Sequence, residues 1–110
     1  HWLIRKSQYK YIQPHGTSGV SHNHILRKVI PSSTVEIALH TIKPGAKSPP
    51  MVIRGLRFQY LVSGSCDYQL DTKIITLNTG DSVWFHASIP HYPVSNSKTD
   101  AILLVVIFHH

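Results

Sequence analysis

The sequence predicts an all-β domain, a barrel or sandwich of short antiparallel strands, on three observations. Val35, Ile37 and Leu39 alternate with Glu36, Ala38 and His40, the period-two signature of a half-buried strand. From there on, turn signals recur every 8 to 12 residues. No segment holds ten residues of helical period free of breakers.

The elements follow in order. Residues 1–33 are the least regular, with short strands expected at Trp2-Leu3-Ile4 and Tyr9-Lys10-Tyr11-Ile12 and a loop from Pro14 to Gly19. They are expected to be strands or a linker packing on a barrel built from residues 34–110. The strand around Val35–Leu39 is stopped by Pro44-Gly45 and Pro49-Pro50, and Phe58 to Val62 by Ser63-Gly64-Ser65. Cys66 to Leu70 and Lys73 to Leu77 are joined by a turn at Asp71-Thr72, and Asn78-Thr79-Gly80-Asp81 is a further turn. Val83-Trp84-Phe85, Tyr92 to Val94 and Ala101 to Phe108 complete the series. The last is apolar on both faces, as befits a central strand or a dimer surface.

A chain of 110 residues makes one domain with one modest core. Its longest apolar run, Ala101 to Phe108, is eight residues, far short of the roughly 18 of a membrane span. There is no basic-then-apolar leader, and the lone Cys66 excludes an internal disulfide, which together point to a reducing cytoplasm. The chain opens on His1 rather than Met, which implies a piece of something longer. The net charge of +6 comes from having only five acids against eleven bases. Only Arg5-Lys6-Lys10 and Arg27-Lys28 cluster locally, so the excess reads as solvated surface rather than a nucleic-acid face.

One constellation is more specific. Gly45 is followed by Met51, Ile53, Arg57 and Gly64, and then by Gly80-Asp81, His86, Ser88, His91, Ser95 and Asn96. The region from Pro44 to Asn96 resembles the two motifs of the cupin superfamily: Gly, five residues, His-x-His, three or four residues, Glu, six residues, Gly; then Gly, five residues, Pro-x-Gly, two residues, His, three residues, Asn. The resemblance implies a double-stranded β-helix, the jelly-roll barrel. It also implies metal ligands at positions 51, 53, 57 and 91, where this chain keeps only His91. Methionine suits soft Cu(I) at best, isoleucine has no lone pair, and guanidinium carries the wrong charge. No metal and no other cofactor is therefore expected at that place. His22-Asn23-His24 also follows Gly16 at motif spacing, but no carboxylate stands at 28 or 29. It reads as a polar loop, the alternative being a displaced site in which His22 and His24 join His91 or His40.

Strand alternation turns residues 57, 59 and 61 inward with Met51, Ile53 and His91. The lumen is then apolar at Met51, Ile53 and Leu61 and polar where Arg57, Gln59 and His91 converge, with Tyr68, Trp84 and Tyr92 as aromatic walls. A buried arginine needs a partner, either Glu36, Asp67 or a bound anion. Cys66 next to Asp67 is expected to have a raised pKa and no nucleophilic role.

Barrels with so few metal ligands and an arginine at the mouth are similar to the sensor domains of bacterial transcription regulators, of the helix-turn-helix and arabinose-regulator types. That resemblance implies a non-catalytic domain that binds a small, anionic molecule and forms a homodimer. DNA would be met only through a separate domain, and no membrane is involved. The alternatives are a metal-independent isomerase, epimerase or lyase with His91 as base and Arg57 as electrostatic stabiliser, and a filled structural barrel.

Overall fold

The computed structural model describes residues 3–110, so the expected strand at Trp2 lies partly outside them, and Leu3-Ile4 are not in a strand. After a 3-10 turn at Lys6–Gln8 come nine strands: β1 Lys10–Ile12, β2 Ser18–Ile30, β3 Ser33–Lys47, β4 Gly55–Ser63, β5 Ser65–Leu70, β6 Lys73–Asn78, β7 Ser82–His86, β8 His91–Val94 and β9 Ala101–His109. They form a six-stranded sheet in the order β1-β2-β3-β9-β4-β7 and a three-stranded sheet in the order β6-β5-β8. Every pairing is antiparallel. The fold is the all-β jelly-roll barrel the sequence predicts.

Between the sheets lies the core: Leu61, Leu103, Val105, Ile107, Tyr68, Leu77 and Phe85 with Val20, Ile42, Cys66 and Ala101. The glycine that closes the first motif is required by this packing. Gly64 has φ +84°, and a Cβ there would sit 2.5 Å from the Asp100 carbonyl oxygen, so no larger residue fits.

Two expectations about strands are corrected. Pro44-Gly45 does not end β3, which runs on to Lys47. Its ladder to β9 stops at Ile42↔Ala101, so the missing amide of Pro44 costs no sheet hydrogen bond on that side. The thirteen-residue β2 was not expected as a strand, and Ser18-Gly19 belongs to it rather than to the loop.

The face that β3 turns inward is the one that carries Ala38 and His40. Ala38, His40 and Ile42 are buried against the core, while Val35, Ile37 and Leu39 look outward. On β4 the inward residues are Arg57, Gln59 and Leu61, with Phe58, Tyr60 and Val62 outside. The large sheet thus carries polar residues on its concave face and an apolar outer face. On that outer face Phe58, Tyr60, Val62, Trp84 and Phe108 are between 37% and 66% exposed.

Candidate functional site

The site is built on one row of residues that crosses the large sheet. Glu36 on β3 pairs with Ile107 on β9, Ile107 with Arg57 on β4, and Arg57 with Phe85 on β7. One pleat further along β3, the inward position is Ala38, and the next is His40. Since β2 pairs in register with β3, His22 stands opposite His40 and His24 opposite Ala38. These residues, with Met51 and Ile53 from the segment before β4 and with Val105, enclose a cavity of about 130 Å³. A cavity of roughly 150 Å³ holds a benzene-sized molecule, so this one suits about six or seven heavy atoms.

Arg57 dominates the electrostatics. It is 2% exposed, and among the described residues no carboxylate lies within ion-pair distance. Its Nε donates to Gln59 Oε1 at 3.0 Å, and Nη2 points at His40 Nδ1 at 3.4 Å. The guanidinium lies over the Tyr68 ring, 5.6 Å from its centroid. Neither carboxylate expected as its partner fills that role. Glu36 accepts from His24 Nδ1 at 3.1 Å and His109 Nε2 at 2.8 Å, while Asp67 accepts from Thr76 and Asn96. A buried cation held only by neutral groups is an unusual arrangement, because burying charge is costly without a counter-charge.

His22 and His40 stack face to face, centroids 3.4 Å apart and planes 4° from parallel. Burial above all, then the Arg57 charge and then His24 push His22 from 6.5 down to about 4, against Glu36. Burial, then Arg57, hold the His40 pKa well below its ordinary value as well. Both rings are therefore neutral near pH 7 and add no charge to the cavity. This fixes a pH dependence. Below pH 6.5 the unfolded chain takes up a proton at His22 that the folded chain refuses until about pH 4. Stability is accordingly expected to be level above pH 6.5 and to fall as pH drops towards 4, each such histidine contributing a slope of up to ~1.4 kcal/mol per pH unit. Urea melts at pH 7.5, 6 and 5 test this; equal midpoints at all three would contradict it.

Of the expected site residues, Arg57, Met51 and Ile53 line the cavity. Tyr68 is buried beneath Arg57 and lines an adjoining pocket of only about 10 Å³. Gln59 and His91 are inward, as alternation dictates, but fully buried behind the cavity rather than on its wall. His91 Nδ1 donates to the Ile89 carbonyl at 2.8 Å, which leaves Nε2 a bare acceptor. That Nε2 and Gln59 Nε2 are buried without a hydrogen-bond partner. Burial holds the His91 pKa down, Ile89 opposing and Arg57 adding to the effect. Trp84 and Tyr92 are not walls of the lumen. Trp84 pairs with Phe58 on the outer face and is 66% exposed, the inward position of β7 being Phe85. Tyr92 falls between the buried His91 and Pro93 and lines an outer cleft with Ala46 and Lys47.

The cavity wall also contains His22, His24, Glu36 and His40, which sequence reasoning set aside as a polar loop or as the polar half of an alternation. The signal available was the His-x-His spacing itself. It marked an inward-facing strand rather than a metal motif. Among the described residues no three histidine, cysteine, aspartate or glutamate side chains are placed to hold a metal ion. The four positions at which a cupin metal would be bound hold Met51, Ile53, Arg57 and His91, a set whose chemistry does not fit a divalent ion. Burial, then Asp67, push the Cys66 thiol up to about 11, which makes it inert as a nucleophile at neutral pH.

No curated protein matches the chain in sequence. Among solved structures, the polyketide cyclase RemF from Streptomyces resistomycificus superposes with a TM-score of 0.79 at 15% identity, over 100% of this chain and 80% of that one. An RmlC-like cupin from Shewanella frigidimarina gives a TM-score of 0.75 at 18% identity, over 100% of this chain and 92% of that one. The Cupin_2 domain of an XRE family transcriptional regulator from Enterobacter cloacae gives 0.71 at 16% identity, over 84% and 98%. At these identities the likeness is one of fold, shared by enzymes and regulator domains alike. A family model described as "Cupin domain" matches residues 38–107, the stretch that contains the motif glycines Gly45, Gly64 and Gly80 with Arg57 and His91. The chain therefore belongs to the cupin domain family.

Proposed function

We propose that this domain binds a small anionic molecule, a carboxylate of about six or seven heavy atoms, and does no chemistry on it. The observation that carries this reading is Arg57, a buried cation with no carboxylate partner, on the wall of a cavity. A guanidinium has five N–H donors in a fork that matches a carboxylate, and two of them meet Gln59 and His40. A bound carboxylate would supply the missing counter-charge, and Met51, Ile53, Val105 and Ile107 would enclose an apolar tail. The cavity favours this over a filled structural barrel.

Catalysis with His91 as base has one observation in its favour, the bare Nε2 oriented by Ile89. Against it, His91 is fully buried and does not reach the cavity wall. The likeness to a regulator's cupin domain supports a sensor role in a larger protein, with DNA contacted by a separate domain and a cytoplasmic setting. Among the described residues no helix is long and apolar enough to cross a membrane.

The test is a thermal-shift titration with propionate, butyrate and phosphate against the matching neutral amides. Saturating carboxylate at 100 Kd is expected to stabilise by ~2.7 kcal/mol, and amides by nothing. Identical melting with and without every anion would overturn the reading.

The homodimer belongs to the same proposal. The outward positions of β3, β9 and β4 from Val35 to Thr41, Ile102 to Phe108 and Leu56 to Val62 carry no charge, and a large exposed apolar patch marks an interaction surface. A second copy applied to this face would cover Phe58, Tyr60 and Trp84. Trp84→Glu combined with Phe58→Lys is expected to shift sedimentation from dimer to monomer with the melting profile of each protomer retained. A wild-type chain that sediments as a monomer at 100 μM, on the order of a weak dimer's Kd range, would count against the dimer.

A further inference from the structure

The cavity has two charged walls, and they are of opposite sign. Glu36 and Arg57 sit in the same cross-strand row, separated only by Ile107 on β9, and all three side chains line the cavity. Adjacent strands are spaced about 4.8 Å apart, so the two backbones are about 10 Å apart, and the two charged groups do not pair. His22, on the neighbouring wall, feels both charges, Arg57 lowering its proton affinity and Glu36 raising it. The two ends differ in chemistry as well. The Arg57 fork offers only donors. The Glu36 carboxylate offers only acceptors, about four lone-pair sites, of which His24 and His109 use two.

From this geometry we infer that the natural ligand is a small zwitterion, an amino acid of six or seven heavy atoms whose carboxylate meets Arg57 and whose ammonium meets Glu36. The inference deepens the anion reading above and rests on it. A simple fatty acid would satisfy Arg57 and leave Glu36 facing apolar carbon, whereas an amino acid complements both walls and brings no net charge into the cavity. The apolar floor of Ala38, Val105 and Ile107 leaves room for a short carbon chain between the two groups, not for a second charged side chain.

Isothermal titration of the whole chain with propionate, L-alanine, 3-aminopropionate and ethylamine tests this. At least one of the two amino acids is expected to bind ten times more tightly than propionate, and ethylamine least of all. The Glu36→Gln substitution is expected to reduce the preference for the amino acid over propionate to less than about threefold. Equal binding of propionate and both amino acids by the wild-type chain would overturn the zwitterion inference and leave the anion reading standing. So would an amino-acid preference that survives in Glu36→Gln. Binding of no carboxylate at all would overturn both. The wild-type comparison decides the matter even where the variant does not fold.

Discussion

The Arg57→Met variant is expected to lose all anion-induced stabilisation and yet be at least as stable as the parent when no ligand is present. Two effects oppose each other in the free protein. Removing the guanidinium orphans Gln59 Oε1, which costs about 1–3 kcal/mol for a buried acceptor. It also relieves a buried cation of a desolvation penalty of several kcal/mol that no carboxylate offsets here. Methionine fills most of the same volume next to Met51 and Ile53, so no large cavity opens. The relief outweighs the loss, and the expected net change is a gain of about 0–2 kcal/mol. Differential scanning calorimetry of both chains, with and without propionate, reads the two halves of the prediction separately. A drop of more than about 5 °C in the free variant, roughly 1 kcal/mol for a domain of this size, would show that Arg57 is retained for structure.

Leu103→Ala is expected to be the most damaging single truncation in the core. Leu103 is 0% exposed and occupies the inward face of β9, where it is flanked in register by His40 on β3 and Leu61 on β4. Strands packed on both sides cannot close over a void, so the lost transfer energy and the cavity term add, for about 3–5 kcal/mol. Total stability for such domains is about 5–15 kcal/mol, so a fifth or more is at stake. Ile74→Ala on the outer face of β6, where the side chain is 61% exposed, should cost less than about 1 kcal/mol. Urea unfolding of the two variants side by side checks the contrast, and equal midpoints would refute it.

How much of this was legible in the sequence differs from element to element. The strands from Phe58 onward are bounded by Gly64, Asp71, Gly80 and Pro90, residues whose backbone preferences do not depend on tertiary context; apart from the start of β4, three residues early at Gly55, they fall within one residue of expectation. The motif frame fixed the inward face of β4, and Arg57, Met51 and Ile53 are where it put them. The alternation on β3 was equally clear but did not say which face turns inward, because period two reveals that the faces differ and not which of them is buried in the barrel. Here the apolar residues Val35, Ile37 and Leu39 look outward and the barrel keeps His40. Strand β2 was missed because its inward residues are mixed, Val20 in the core and His22 and His24 on the cavity wall, so no apolar stripe marks them. Trp84 was expected as an aromatic wall of the lumen, but the register with Phe58 turns it out. The other half of the site, Glu36 and the histidines, depends on a ladder between β2 and β3 that no local pattern announces.

The position of β9 has a consequence for how the chain acquires this structure. The six-stranded sheet is divided, in chain order, into β1-β2-β3 and β4-β7, and the backbone ladders of these halves are joined only through β9 between them. Until residues 101–109 have been synthesised and inserted, neither half has its central neighbour, and the row from Glu36 to Arg57 does not exist. Closing such non-local pairings is slow, typically milliseconds to seconds. The cavity between Glu36 and Arg57 is therefore among the last features to form, and a chain interrupted before Ala101 would present two unpaired strand edges to its neighbours.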